Sequence, residues 1–310
     1  MTGLTDFITE AKWEDVLTDW FVMIDDAHQA LERRYGRWRK RGPQPRFADS
    51  EVLTVGLLID TWFGGDEAKG LAFVRQYHHG LFPRLPSNGQ FNTRRRALGQ
   101  IAEQVRRCLL NSFGMIPPDE RLRLIDSAPV RACQYGRAAR CRTVSGPEYV
   151  GLNSVNKARF LGFRLQATIS PAQVVDDWML APAARKDGKT TSALLSEGAN
   201  LHVFGDNAYH DPGEHHLLAM RHNVRLWAVP RKDARLGQWP KSFKRWVKRL
   251  RLRIETTFSV LETVFHLETP RARSLTGLIA RTATRVLAYT LCFLTAPRFA
   301  NGHLAPITPN

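Results

Sequence analysis

Three acids stand where chemistry needs them. Asp126 ends an apolar run through Leu122, Leu124 and Ile125, and Asp206 ends a second run through Leu201, Val203 and Phe204, just past Gly205. Glu255 follows on a stretch with helical periodicity, one turn after Arg251. Each has a plain reading when taken alone. An aspartate after a strand is a turn former or helix cap, and an Arg and Glu pair at i, i+4 contributes a few tenths of a kcal/mol. Taken together they suggest more, because carboxylates converging within ~4 Å repel one another unless a cation lies between them. Oxygen ligands without a histidine or cysteine cluster favour Mg²⁺ or Mn²⁺. Two such ions about 3.5 to 4 Å apart promote phosphoryl transfer.

The elements that would hold these acids are legible in the pattern. Residues 121–130 and 201–205 read as buried strands, and residues 160–170 and 173–182 as an antiparallel hairpin in which Phe163, Leu165 and Ala167 alternate with polar neighbours. A short helix over 190–197, a helix over 213–221 and a strand over 224–229 follow. A long helix over 243–265 has Leu250, Ile254, Phe258, Leu261 and Phe265 as its buried stripe, with Arg251, Glu255, Ser259 and Glu262 beside it. A hairpin followed by alternating strands and helices predicts a mixed α/β sheet flanked by helices rather than a doubly wound one. Between Val130 and Arg159 the chain is polar and basic, and it reads as a long loop.

The first third reads as helical. Apolar residues recur at helical spacing over 13–30, Asp49 or Ser50 caps a helix through Ile59, and 67–77 forms another. A basic loop over 33–46 separates the first two. Ser87 leads into one helix over 90–110, with Phe91, Leu98, Ile101, Val105 and Leu109 on one face and Arg94, Arg95 and Arg96 on the other. A short arginine-rich helix after a turn is compatible with helix-turn-helix docking on DNA, or with an ordinary solvated face. Pro117 and Pro118 mark the boundary, which divides the chain into a helical DNA-binding domain over 1–116 and a catalytic domain over 117–310.

Composition narrows the partner. The 310 residues carry 45 lysines and arginines against 29 aspartates and glutamates, a formal charge of +16. Such an excess suits a polyanion, nucleic acid before an anionic membrane. Cys108, Cys133, Cys141 and Cys292 form no CxxC pair, so neither a zinc ribbon nor a disulfide framework is indicated, and a reducing cytoplasm is the simplest home. The start lacks a signal-peptide pattern, and the apolar stretch 286–296 is too short to span a bilayer and reads as a core helix, so no membrane role is expected.

Further groups have competing readings. Tyr209 is a nucleophile candidate or a packing residue, and His210, Asp211, His215 and His216 are metal ligands or capping and surface groups, the structural role being preferred for all of them. The densest basic run comprises Arg231, Lys232, Arg235, Lys241, Lys244, Arg245, Lys248 and Arg249, interleaved with Trp239, Phe243 and Trp246. These aromatics suit stacking on distorted DNA, or they anchor a helix.

Asp126 in LIDSAPV, Asp206 in VFGDNAYHD and Glu255 in RLRIETTFSVL, in that order, resemble the DDE transposases of bacterial insertion sequences, most closely the nine-eighty-two-like group. The resemblance runs from PSNGQFNTRRRAL at Pro86 to the helix at Phe265 and includes the Arg251 to Glu255 spacing. Where related groups carry a tyrosine before the arginine and a lysine after the glutamate, this chain has Lys248 and Glu262. The resemblance implies a ribonuclease H-like catalytic domain in which Asp126, Asp206 and Glu255 hold two Mg²⁺ (or Mn²⁺) ions. It also implies cleavage of double-stranded DNA at element ends without a covalent protein intermediate, followed by attack of the 3′ hydroxyl on target DNA. A homodimer is expected because two ends must be joined. Arg94, Arg95, Arg96, Arg231, Lys232, Lys244, Arg245, Lys248 and Arg251 are the candidate DNA contacts. A nuclease without strand transfer and a silent DNA-binding descendant are the alternatives.

Overall fold

The computed structural model describes residues 10–39, 42–153, 157–230 and 239–299, which divide into two compact units. One takes the described residues up to Met115 together with those from Thr263 onward; the other is Ile116–Glu262.

The first unit is helical: α1 (Glu10–Tyr35), α2 (Asp49–Trp62), α3 (Glu67–Tyr77), α4 (Asn88–Ala97), α5 (Gly99–Ser112) and, from the end of the chain, α9 (Leu275–Phe299). Its core joins Leu17, Trp20 and Ile24 of α1, Leu53 and Leu57 of α2, Phe91 of α4, Val105 of α5 and Val286 and Leu287 of α9, all at most 1% exposed. The single helix expected over 90–110 is two helices, broken at Leu98 with φ −93° and ψ 6°. Ser87 caps α4, its hydroxyl accepting from the Gln90 N–H. Helix α5 starts on Gly99, where a side chain would bring its Cβ to 2.9 Å from the backbone of Ala280, so the break lets α5 lie close against α9.

Around that contact lies a buried ionic cluster. Asp60, fully buried, pairs with Arg95 and with Arg285 at 3.4 Å and accepts a hydrogen bond from Thr284 at 2.7 Å. Glu67 holds Arg95 at 3.2 Å and Arg281 at 2.6 Å. Buried charges are tolerated only when paired in this way. Helix α9 is thus a core helix, as expected, but of the helical unit. The division at 116 and 117 places it with the sheet; its buried Arg281 and Arg285 instead tie it to α3 and α2, and its Thr284 accepts from Arg95 of α4.

The second unit is a six-stranded mixed sheet with helices. Its strands are β1 (Leu122–Gln134), β2 (Val150–Leu152), β3 (Arg159–Ile169), β4 (Val175–Pro182), β5 (His202–Gly205) and β6 (Arg225–Ala228), and its helices are α6 (Thr191–Leu194), α7 (Pro212–His222) and α8 (Lys241–Thr263). Central β1 is antiparallel to β3, which pairs with β2 at its start and β4 along the rest; on the other side β5 runs parallel to β1, and β6 parallel to β5. The expected hairpin is β3 and β4. Strand β1 runs four residues past its expected end, and the segment read as a long loop contributes β2. Apart from the short β2, three antiparallel strands followed by two parallel ones make the ribonuclease H-like mixed sheet that the resemblance implied.

Side-chain alternation gives this sheet two different faces. Ile125, Val203 and Leu226 point to one side, where Leu194, Tyr209 and Leu218 complete an apolar cluster. Residues of the opposite parity, Phe204 and Trp227, face α8, where Phe204 meets Trp246 at 5.4 Å and Trp227 meets Phe243 at 6.3 Å between ring centroids.

Candidate active site

The two aspartates sit together for a reason written in the strand register. Leu122 pairs with His202 and Leu124 with Phe204, an offset of 80 residues, and the same offset separates Asp126 from Asp206. Adjacent strands lie about 4.8 Å apart, so equivalent positions on them are neighbours. Asp126 and Asp206 also share the parity of Leu124 and Phe204, which is the α8 side of the sheet. Pairing of β5 with β1 ends at Phe204 and β5 itself ends at Gly205, so the sheet opens beside Asp126.

Both carboxylates have local backbone partners. Asp126 Oδ1 accepts from the Ser127 N–H at 2.8 Å, and Asp206 Oδ1 accepts from the Ala208 N–H at 2.8 Å, capping the turn Asn207–Tyr209. The capping reading of Asp206 is therefore correct as far as it goes. It uses one oxygen, and the other remains for further chemistry. Gly205 permits the tight packing beneath: a Cβ there would stand 2.8 Å from Ile125 Cγ2 and 2.9 Å from the Tyr209 ring.

Helix α8 brings the third acid to the same side. Val247, Ile254, Thr257, Phe258 and Leu261 are buried, close to the expected stripe, while Leu250 is half-buried. The Arg253 guanidinium donates to the Pro171 carbonyl in the turn between β3 and β4, fixing the helix against the sheet. Arg251 then lies 3.9 Å from Asp126 and 3.7 Å from Glu255, bridging the two acids. Glu255 itself is half exposed and has room to turn.

The electrostatics follow from this crowding. Burial pushes the Asp126 carboxyl up to about 6; the Ser127 N–H opposes the rise, Asp206 and Asp187 add to it by repulsion, and Arg251 counters it. Tyr209, fully buried among the apolar side chains, has its phenol held well above its ordinary value by burial and by Asp187, Asp126 and Asp206. That excludes an activated nucleophile and leaves the packing role. Among the described residues, no group of three or more His, Cys, Asp or Glu is gathered closely enough to hold a metal ion as it stands.

Asp187 escaped the sequence reading. Its Oδ2 accepts from Ser127 Oγ at 2.9 Å and its Oδ1 from Gln166 Nε2 at 3.0 Å, and Gln166 in turn accepts from Thr190 at 2.6 Å. Ser127 and Gln166 are register partners on β1 and β3. Asp187 thus holds the side chain of Ser127, the residue after Asp126, on the opposite face of the sheet. In sequence it precedes Gly188 and carries only a turn signal. The histidines near Asp206 follow the structural reading: Asp211 caps α7 through the Gly213 and Glu214 N–H groups and pairs with Lys189 at 2.8 Å, while His215 meets the Tyr209 carbonyl.

The basic candidates divide. Arg245 and Lys248 are exposed on α8, Lys244 is half-buried, and Arg251 belongs to the acid cluster. Arg231 and Lys232 lie outside the described residues. The aromatics between them anchor α8: Phe243 stacks at 5.5 Å on Trp246 and 5.0 Å from Trp239. On α4, Arg96 is exposed and Arg94 is engaged by Asp49. Arg95 corrects the expectation of an arginine face toward DNA. It is 1% exposed and locked between Asp60 and Glu67, so it is unavailable to a phosphate.

Comparison with known proteins bears on this geometry. No curated protein matches the chain. Among solved structures, the Mos1 transposase paired-end complex with left transposon end is 12% identical, with 91% of this chain and 98% of that one covered and a TM-score of 0.23. The Mos1 strand transfer complex is 11% identical, with 91% and 97% covered and a TM-score of 0.22. Similarity at that level adds no weight to the site. The family described as transposase DDE domain matches residues 117–291, more than half of the chain and inclusive of all three acids. The chain belongs to the DDE-domain transposase family.

Proposed function

We propose that the protein is an insertion-sequence transposase that cuts double-stranded DNA at the ends of its element and joins the exposed 3′ hydroxyl to target DNA. One observation carries the reading: Asp126 and Asp206 each lie two residues past the last register pair of two parallel strands, and Arg251 links Asp126 to Glu255 from α8. The donor set suits hard divalent ions, because its acids are oxygen ligands that repel one another. Asp126, Asp206 and Glu255 would hold Mg²⁺ or Mn²⁺, which supplies Lewis-acid polarisation of the scissile phosphate.

The chain's own residues do the rest. Ser127 and Ala208 N–H groups fix one oxygen of each aspartate, and the exposed Glu255 stands on a helix anchored by Arg253. Arg251 is placed to exchange carboxylate for phosphate as DNA enters. Two copies acting as a homodimer would hold two ends, in the cytoplasm where nucleoid DNA is reached.

The test combines purified protein, duplex carrying the element's ends, target DNA and Mg²⁺. Cleaved and joined products are expected. Cleavage without joining would assign a nuclease, and binding without cleavage a silent descendant.

A further inference from the structure

The helical unit contains a cavity of about 320 Å³ between α4, the first turn of α9 and the segment before it. Arg96, Arg271, Arg273 and Arg281 line it, with Glu67 as its carboxylate. That carboxylate is already satisfied. Glu67 is paired with Arg95 and Arg281 and accepts from Asn92 at 2.6 Å. Arg271 reaches Asp66 at 3.3 Å, but Arg96 and Arg273, both exposed, have no acidic partner among the described residues. The pocket therefore keeps an uncompensated positive charge.

Its shape adds to the charge. The stem of Arg96 lies along the first turn of α9, where a Cβ on Gly277 would be 3.5 Å from the arginine's Cγ and Cδ. The cavity is also lined by the first turn of this 25-residue helix, whose N–H groups and dipole favour an anion. Ser274 Oγ accepts from the Gly277 N–H at 3.2 Å and meets Thr276 Oγ1 at 3.4 Å.

We propose that this cavity binds a phosphate group of the DNA backbone, gripped by Arg96 and Arg273 at the α9 N-terminus. Guanidinium forks match phosphate oxygens, and the space admits a phosphodiester with its flanking sugar atoms. The proposal rests on DNA being the partner of the transposase reading.

The test uses the full chain and a labelled duplex of arbitrary sequence, with binding followed over a salt series. R96Q/R273Q is compared with R33Q/R34Q, which removes the same charge from exposed positions at the end of α1. The pocket variant should weaken binding about tenfold and reduce the slope of log K against log salt by about one, the change for one lost phosphate contact. The control pair should change the slope by less than half as much. Equal effects of the two pairs would overturn the proposal. So would a melting-temperature rise in inorganic phosphate at fixed ionic strength that R96Q/R273Q abolishes while leaving DNA binding intact, because the pocket would then serve free phosphate. Cleavage plays no part in this assay. A protein that shows the slope change yet never cuts DNA would refute the transposase reading and uphold the pocket.

Discussion

Arg95 and Asp206 show how residue type and residue role part company. Three consecutive arginines on α4 share one sequence signal, but only Arg96 is exposed, while Arg95 turns inward to Asp60. The reason lies far along the chain, since Asp60 also holds Arg285 and Thr284. Burial alone would raise the Asp60 carboxyl, but Arg95, Arg285 and Arg281 together hold it below the usual carboxylate range. Its contribution to stability is accordingly full above its unfolded value and is lost as pH falls through the folded one. Asp60→Asn leaves two buried guanidiniums facing a neutral amide and should cost about 3 to 5 kcal/mol, seen as a lower urea midpoint at neutral pH. The deficit should shrink in acid, where the wild type loses the same charge. A variant as stable as wild type at neutral pH would show that the cluster contributes nothing.

At the scale of elements, the site depends on how β5 ends. Gly205 is the last strand residue, and Tyr209 folds back beneath it while Asp206 projects toward α8. Gly205→Ala drives a methyl against Ile125 and the Tyr209 ring, an overpacking worth about 1 to 3 kcal/mol. It should also slow DNA cleavage, because Asp206 is the next residue. Wild-type cleavage together with wild-type urea stability would contradict this. Elements with one clear period were legible in the sequence: α3, the hairpin of β3 and β4, and the buried stripe of α8. The break at Leu98 was not, because the apolar face continues across it and only contact with Ala280 explains it. Strand β1 was read short because Arg131 and its neighbours look like loop, although β3 pairs with them through Gln134. Asp126 and Asp206 stood out in the sequence as acids that follow apolar runs, and their offset of 80 is also the register of β1 on β5. Asp187 did not, because its partners Ser127 and Gln166 come from separate strands.

Across the whole molecule, the chain uses its basic excess in two places that differ in kind. The helical unit buries part of it in the Asp60 and Glu67 cluster and leaves Arg96 and Arg273 around a cavity. The sheet unit sets Arg245 and Lys248 on the exposed side of the helix that also carries Glu255. Binding and chemistry should therefore separate under mutation. The most direct measurement is single-turnover cleavage of end-bearing DNA by D126N, D206N and E255Q, with duplex affinity measured alongside. Each variant should cleave about 10³-fold more slowly or worse, the scale of losing one member of a concerted catalytic set, while binding the duplex within a few-fold of wild type. Cleavage within tenfold of wild type by any one of the three would contradict a site built from Asp126, Asp206 and Glu255.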